Sequence, residues 1–202
     1  MNPIFSVWLK PKQTTEYLMA HKSIKYSIIL FIIASYGGVL NGLQGTGFTD
    51  TDNLSNAMLT VIILISGPIA GLIGLYTGSW LYTLVGKWMG GTGKLSDMKR
   101  AIGVTAIPNM VLLIVLVVYI AIFGEQFFQR PEWPQSSILP FEAAMLLNVI
   151  SLTVGIWNVV ITSKMIGVVH HFSSWRGFGV SLVIGVSLAI IFIPLVLILV
   201  FI

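Results

Sequence analysis

Cysteine is absent from this 202-residue sequence, and charged side chains are scarce. The lack of cysteine excludes a disulfide framework, a thiolate metal site, a CxxC redox pair and a cysteine nucleophile. Charged residues make up 9% of the chain and hydrophobic residues 56%, whereas a soluble domain has about 25% charged residues. Only seven Asp and Glu are present, so catalysis by paired carboxylates has few candidates. The composition indicates a membrane protein, and the length suits one domain.

Five apolar runs are long enough to cross a bilayer. A hydrocarbon core about 30 Å thick needs roughly 20 helical residues. The runs lack the alternation of barrel strands, and in lipid every backbone polar group must be satisfied internally, so helices are expected. We therefore predict an all-α membrane protein, a five-transmembrane-helix bundle with spans at 26–43, 57–85, 101–123, 141–163 and 178–202.

Basic residues are sorted to one side of this topology. Ten of the eleven Lys and Arg lie in the amino-terminal segment, the second loop and the fourth connection. Arg130 lies on the opposite side, together with five of the seven acidic residues. The positive-inside rule therefore predicts a cytoplasmic amino terminus, and an odd number of spans places the carboxyl terminus, Ile202, outside.

Residues 1–23 are predicted to form a cytoplasmic segment that precedes the five-helix domain at 24–202. Pro11 separates two apolar stretches, which predicts two short helices. Trp8 and Tyr17 can sit at headgroup depth while Lys10 and Lys12 meet anionic phosphates, as in an amphipathic interfacial anchor. A structural cuff on the bundle and a partner-docking helix are the alternatives.

Small residues recur at four-residue spacing in the second and fifth spans. Helices associate in lipid mainly through close packing, so this spacing predicts that the two helices are central. The predicted packing residues are Ser66, Ala70, Gly74, Gly78, Gly177, Ser181, Gly185 and Ala189. A neighbouring row on the second span, from Gly67 to Ser79, is interrupted by Leu75. The rows pack either within the chain or against a second copy of it.

Reactive groups are missing from the predicted membrane core. No ionisable side chain lies near the middle of a span, which argues against an ion-coupled carrier. His170 and His171 point about 100° apart on a helix, so they do not make a zinc pair and are expected to be interfacial. The glycine-rich stretch before Lys94 lacks the first glycine and the final Ser or Thr of a phosphate loop.

The polar residues near the loops are also expected to have structural roles rather than to form a functional site. Ser96 and Asp97 are expected to cap the third helix. Asp50 and Asp52 are compatible with weak calcium binding but lack the spacing of an EF-hand, so a solvated polar loop is expected. No catalytic residue, cofactor or metal site is predicted.

Three segments resemble the Yip1 domain family. NPIFSVWLKPKQTTEYLM is similar to the entry segment of bacterial members, GGTGKLSDMKRAIGVTAIP to the glycine-rich loop before the third helix, and IWNVVITSKMIGVVHHFSSWRGFG to the exit of the fourth helix. The resemblance implies a polytopic membrane protein without enzymatic activity. Eukaryotic relatives bind membrane-associated small GTPases. This sequence lacks their long amino-terminal extension and Asp-Leu-Tyr-Gly-Pro element, which argues against GTPase binding.

The resemblance and the missing reactive groups favour a non-catalytic scaffold or adaptor in a bacterial plasma membrane. It would bind other integral membrane proteins, such as an ABC transporter, or a second copy of itself, and no nucleic acid. The predicted partner-binding residues are Trp8, Lys94, Arg100, Trp175 and Arg176. One rival is a carrier or channel for a neutral or lipid-like solute, built around Pro68, Pro108, Asn109 and Asn158. Another is a lipid-perturbing protein that acts through its amino-terminal segment.

Overall fold

The computed structural model describes residues 1–48, 50, 56–132 and 138–201. Asp52 and Ile202 therefore lie outside the described residues. Within the described part the chain forms helices and turns and no β-strand. The α-helices are α1 (Pro3–Ser6), α2 (Pro11–His21), α3 (Ile24–Leu43), α4 (Asn56–Trp88), α5 (Leu95–Ala101), α6 (Gly103–Phe123), α7 (Phe141–His170) and α8 (Ser174–Phe201), and a 3-10 helix covers Gly124–Phe127.

Within the described ranges, five helical segments are long and apolar enough to cross a membrane. They are Ile24–Leu43, Ala57–Trp88, Leu95–Phe127, Phe141–His170 and Ser174–Pro194. The predicted all-α, five-span architecture is confirmed. The helices continue beyond the apolar runs, because a charged residue ends an apolar run without ending a helix. The side of the membrane that each terminus faces stays a prediction from the charge pattern.

Proline begins both short amino-terminal helices. Pro3 and Pro11 each lie at the start of a helix, where their missing N–H costs no hydrogen bond. The Oδ1 of Asn2 accepts the N–H of Ile4 at 3.1 Å and caps α1. The prediction of two short helices separated by proline is confirmed.

The third span begins differently from the prediction. α5 starts at Leu95, and Lys94 occupies the N-cap position without a side-chain hydrogen bond. Ser96 therefore lies within the first turn, and the prediction that it caps this helix is wrong. A break at Ile102 separates α5 from α6.

The chain divides into two compact units. The first, the helix-end unit, comprises Met1–Ile24, Tyr76–Val104 and Val159–Ile202. The second, the groove unit, comprises Lys25–Leu75 and Thr105–Asn158. The domain boundary expected after residue 23 stays a prediction.

Each unit has its own buried interior. In the helix-end unit α2 lies against α5, and α2 buries Pro11, Thr14, Thr15 and Leu18. In the groove unit a cluster of large apolar side chains is buried near the loops, and the Tyr119 hydroxyl donates to the carbonyl oxygen of Ala143 at 2.9 Å. The members of this cluster are Leu40, Leu59, Leu116, Tyr119, Phe127, Phe128, Leu139 and Leu147.

Candidate functional site

In the helix-end unit, two glycines follow the carboxyl-terminal end of α4. Gly90 has a φ of +84°, a left-handed conformation that glycine adopts without strain. Its N–H donates to the carbonyl oxygen of Lys87 at 3.0 Å, and the N–H of Gly91 donates to that of Gly86 at 2.9 Å. The two hydrogen bonds form a Schellman motif, which provides donors for carbonyl oxygens that have no partner within the helix.

Helix α7 ends in the same motif with a histidine in the glycine position. His171 has a φ of +58°, and its N–H donates to the carbonyl oxygen of Val168 at 3.3 Å. The N–H of Phe172 donates to the carbonyl oxygen of Gly167 at 3.0 Å. The motif leaves His170 as the last residue of α7.

The side chain of His170 joins these two helix ends. Its Nδ1 accepts the N–H of Gly93 at 3.2 Å, and its Nε2 lies 3.2 Å from the carbonyl oxygen of Tyr82. A carbonyl oxygen only accepts, so the hydrogen bonds assign the ring hydrogen to Nε2 of a neutral imidazole. The residue is 1% exposed and therefore buried in the protein, and its expected position at the membrane interface stays a prediction. The glycine loop that follows α4 buries it.

The glycines of this loop make room for the imidazole. A Cβ atom at Gly86 or Gly91 would overlap the His170 ring, and one at Gly93 would overlap the carbonyl oxygen of Val169 and lie 3.0 Å from the Nδ1 of His170. The N–H groups of the loop are also engaged: that of Gly93 binds the ring, and that of Thr92 donates to the backbone carbonyl oxygen of His170 at 3.4 Å. The glycine-rich stretch is therefore a packing element, and its amides are not free to cradle a phosphate.

The predicted partner-binding residues fall into two groups. Lys94, Trp175 and Arg176 are exposed, and the Trp175 ring meets the Phe178 ring edge to face at 6.3 Å between centroids. Trp8 is half-buried. Arg100 is half-buried as well, and its Nη1 donates to the carbonyl oxygen of Met19 at 3.3 Å.

The position of Arg100 favours a structural role. The Met19 carbonyl is one of the last four of α2, and those carbonyls have no partner within the helix. A cation is also favourable at this negative end of the helix dipole. Arg100 therefore helps to hold α2 on α5, and Lys94, Trp175 and Arg176 remain as accessible candidates.

On α4 the buried row of small residues is the one that neighbours the predicted row. Its members are Gly67, Gly71, Leu75 and Ser79, and all four are buried. A Cβ at Gly67 would overlap the ring of Tyr36, and one at Gly71 would lie 2.9 Å from the Cα of Ile32 on α3. The packing face therefore lies one residue along the helix from the predicted one.

The predicted row on α4 is more open. Ser66, Gly74 and Gly78 are half-buried, and Ala70 is exposed. A Cβ at Gly78 would lie 3.2 Å from the Cδ1 of Ile102, so this residue does pack. At Gly74 a Cβ would meet only the Phe31 ring, at 3.8 Å.

The predicted packing row on α8 contacts the protein closely only at its first member. Gly177 lies so close to α7 that a Cβ would overlap the carbonyl oxygen of Ser163. Ser181 is half-buried, Ala189 is exposed, and nothing lies within 4 Å of a Cβ at Gly185. Only 11% of the fifth candidate span is buried, against 28% of the third. The fifth is the least buried of the candidate spans within the described chain, and the expectation that it is central stays a prediction.

A groove of about 470 Å³ opens between α3, α4 and α6 in the groove unit. Small residues dominate its lining, and Gly38 and Ala70 are exposed within it. Nothing lies within 4 Å of a Cβ built at Gly38. The small lining residues include Ala34, Gly38, Ala70, Gly74 and Ala106.

Two polar side chains in the groove, Asn109 and Ser35, are engaged inside the chain. The Nδ2 of Asn109 donates to the carbonyl oxygen of Thr105 at 3.2 Å, and its Oδ1 accepts the amide of Asn158 at 3.2 Å. The Ser35 hydroxyl lies 2.6 Å from the carbonyl oxygen of Gly67. No ionisable side chain stands among the described lining residues. The groove is suited to an apolar or neutral occupant.

The residues proposed for a solute pathway are only partly brought together. Asn109 lines the groove, and Asn158 is its hydrogen-bond partner. Pro68 and Pro108 lie inside α4 and α6 but are not among the described residues that line the groove.

The loop between α3 and α4 is tied to Arg130. The Arg130 N–H donates to the Oδ2 of Asp50 at 3.1 Å, and its Nη2 donates to the carbonyl oxygen of Thr46 at 3.0 Å. Asp50 is thus used to hold Arg130. Across the described ranges, no three His, Asp or Glu side chains come together as a metal site.

Two features of these sites escaped the sequence analysis. The buried position of His170 depends on Gly93, which lies 77 residues away in the chain, and no local pattern signals this contact. The α3 side of the groove did carry a signal. Ala34, Gly38 and Gly42 repeat at four-residue spacing, as the noted rows on α4 and α8 do.

The family comparison covers both units. A family model described as the Yip1 domain matches residues 5–199, which is nearly the entire chain. Proteins of this family are generally non-enzymatic membrane proteins. No curated protein sequence and no solved structure matches the chain.

Proposed function

Because the chain belongs to the Yip1 domain family and is a multi-pass membrane protein, we propose that it is a non-catalytic adaptor that binds another integral membrane protein. The observation that carries this proposal is the groove between α3, α4 and α6. A membrane-spanning helix of the partner is the proposed occupant.

The lining of the groove supports a helix as its occupant. Lipid tails are as apolar as a helix surface, so helices associate in a membrane where small residues let their backbones approach closely. Gly38 on α3 and Ala70 on α4 are exposed within the groove, and Gly74 leaves space beside them. A helix seated there would contact α3 and α4 through backbone and small side chains.

The chemistry of the groove supports binding rather than conversion. Its described lining holds no ionisable side chain, and the amide of Asn109 is already engaged with Thr105 and Asn158. General acid–base catalysis and ion coupling both require a positioned titratable group. The lining offers shape and close contact instead.

A second contact would lie on the predicted cytoplasmic side. Lys94, Trp175 and Arg176 are exposed in the helix-end unit and could meet the cytoplasmic part of the same partner. A polytopic transport complex such as an ABC exporter offers both membrane helices and cytoplasmic domains. The proposal places the protein in the plasma membrane of a bacterial cell, in keeping with its cysteine-free sequence and its sorted basic residues.

Photo-crosslinking in intact cells tests this proposal. A photoreactive residue replaces Ala70, which lines the groove, or Ile69, which is exposed on the same helix outside the groove lining. After irradiation, mass spectrometry maps the adduct on each labelled chain. The expected result is an adduct from position 70 with a membrane-spanning segment of a different integral membrane protein, and no such adduct from position 69.

The other outcomes contradict the proposal. Lipid adducts alone from both positions would mean that the groove is a lipid-filled surface. An adduct between two copies of this chain would make the groove a self-association site. Equal yields of protein adducts from positions 69 and 70 would show that the partner contacts α4 both inside and outside the groove, so that the groove is not its specific binding site.

A second candidate function is transport of a neutral or lipid-like solute. The groove volume of about 470 Å³ and the exposed amide of Asn41 in its lining favour this alternative. Vesicles that contain the purified protein would then take up a neutral solute or redistribute labelled lipid. An adaptor produces no more flux than empty vesicles do.

A further inference from the structure

Among the residues that the structure describes, large exposed apolar side chains outside α3–α8 are confined to the first nine positions. Among the described residues they are Met1, Ile4, Phe5 and Leu9. Phe5 is 74% exposed and Leu9 is 87% exposed, although both are far too apolar to favour water. Exposed apolar clusters of this kind mark contact with a protein or a membrane.

The protein holds these side chains in a fixed position. On the other side of the same segment, Pro3 and Val7 are buried. The Ser6 and Thr14 hydroxyls hydrogen-bond to each other at 2.9 Å and join α1 to α2. The exposure is therefore a property of a folded segment whose opposite face is packed.

Helix α2 sets the position of this segment near the membrane. Its buried residues face the protein, and it lies against α5. It ends at His21, and the first candidate span begins at Ile24. Eleven helical residues extend about 16 Å, so α1 lies within roughly that distance, plus a short turn, of the start of a membrane-crossing helix.

The charged side chains that lie nearest in sequence to the exposed residues are of one sign. Lys10 and Lys12 follow Leu9 and are exposed, and the first acidic residue of the chain is Glu16. Apolar side chains beside lysines match the boundary between acyl chains and anionic headgroups. A protein surface that covered the same residues would have to be both apolar and acidic.

We propose that Ile4, Phe5 and Leu9 form a wedge that inserts into the leaflet beside the bundle, with Lys10 and Lys12 on the phosphates of anionic lipids. The wedge differs from the anchor expected from the sequence. Trp8 is half-buried, and Tyr17 stacks on His21 with 4.7 Å between ring centroids. The membrane contact therefore belongs to α1 and Leu9, and α2 supports it from the protein side.

Spin labelling of the full chain tests the wedge. Because the sequence has no cysteine, Phe5→Cys and Leu9→Cys each accept a single nitroxide label. Gln13→Cys is the matched control, since Gln13 is exposed on α2 next to Lys12. The labelled proteins are reconstituted in phosphatidylcholine vesicles with and without phosphatidylglycerol, and collisions with oxygen and with a water-soluble nickel reagent are measured.

Labels at positions 5 and 9 are expected to collide more with oxygen than with the nickel reagent, and the label at position 13 the reverse. The oxygen preference should increase severalfold when phosphatidylglycerol is present. The double variant Lys10→Gln and Lys12→Gln should remove that increase. Circular dichroism of each variant verifies that the bundle is folded.

Two results would overturn the wedge. If the labels at positions 5 and 9 collide freely with the nickel reagent in both kinds of vesicle, α1 lies in water. If they are shielded from both reagents, α1 is covered by protein, either a partner or a second copy. Neither result bears on the groove, whose crosslinking test stands separately.

Discussion

The helix-end unit packs most of its described glycines against the chain, whereas the groove unit holds both packed glycines, such as Gly67 and Gly71, and open ones. In the helix-end unit, a Cβ at Gly86, Gly91 or Gly177 would overlap an atom of the same chain. In the groove unit, Gly38 has nothing within 4 Å of that position, and Gly74 has only a ring at 3.8 Å. The first set completes contacts within the chain, whereas the second leaves room for another molecule. The comparison separates glycines needed for folding from glycines available for binding.

The difference also distinguishes the energetics of the two units. The helix-end unit satisfies its own backbone, because two Schellman motifs and His170 use the polar groups at the ends of α4 and α7. Substitutions there should act on stability. Substitutions at the open groove positions should act on association and leave stability near that of the wild type.

Gly177→Val should have the largest effect on stability. Its side chain would overlap the carbonyl oxygen of Ser163, and backbone on α7 has little freedom to move away. We expect a loss of about 3 kcal/mol or more in the free energy of unfolding, above the usual range for overpacking. Unfolding in mixed micelles, followed by circular dichroism, measures it. The control Gly185→Val lies on the same helix in open space, and an equal loss there would contradict the comparison.

His170→Ala should have the next largest effect. It leaves a cavity and removes the partners of the Gly93 N–H and the Tyr82 carbonyl. A loss of about 2 to 4 kcal/mol is expected from the cavity and the unsatisfied polar groups together. The same unfolding assay measures it, with His171→Asn as the control because asparagine tolerates a positive φ. If His170→Ala were as stable as the wild type, the contacts of His170 with the ends of α4 and α7 would contribute nothing to the free energy of unfolding.

Two glycines on one helix provide a matched pair inside the groove unit. Gly71→Ala places a Cβ 2.9 Å from the Cα of Ile32 and should cost about 1 to 3 kcal/mol. Gly74→Ala meets only the Phe31 ring at 3.8 Å and should be neutral or slightly stabilising, since alanine favours helix more than glycine. The denaturation midpoints of the two variants measure this difference in stability. Reversal of their order would refute the assignment of the buried face.

Asn158→Leu should have a smaller effect than Gly71→Ala. It removes the 3.2 Å hydrogen bond that the Asn158 amide donates to the Oδ1 of Asn109 in the wild type. Hydrogen bonds between membrane helices contribute about 0.6 kcal/mol on average and up to roughly 1.7 kcal/mol, so a loss within that range is expected. A double-mutant cycle with Asn109→Leu isolates the pair. A coupling energy of zero would leave both amides free to serve a solute, as the alternative function requires.

Much of the architecture could be predicted from the sequence, because apolar runs in a bilayer have few solutions. The five spans and the two amino-terminal helices are examples, and the Yip1 family match was recognisable from three segments. Helix ends were less predictable. α7 continues to His170, seven residues past its predicted end, because Lys164 interrupts the apolar run without interrupting backbone hydrogen bonds.

Side-chain contacts across long stretches of chain could not be predicted. Two rows of small residues run along α4, and their spacing alone does not tell which row faces α3. The structure decides in favour of Gly67 and Gly71, since Tyr36 and Ile32 of α3 lie against them. The row on α8 has suitable spacing too, but at Gly185 no described atom lies within 4 Å of a Cβ. The spacing of small residues shows where another helix can approach closely. It does not show which helix, if any, packs there.

The most direct test of the adaptor combines an open glycine with the crosslink at position 70. Gly38→Leu fills the groove from α3 at a position with no atom nearby, so the unfolding midpoint should match that of the wild type. In this variant the adduct with the partner's membrane helix should disappear. An adduct that persists at wild-type yield in the folded Gly38→Leu protein would show that the groove does not receive the partner.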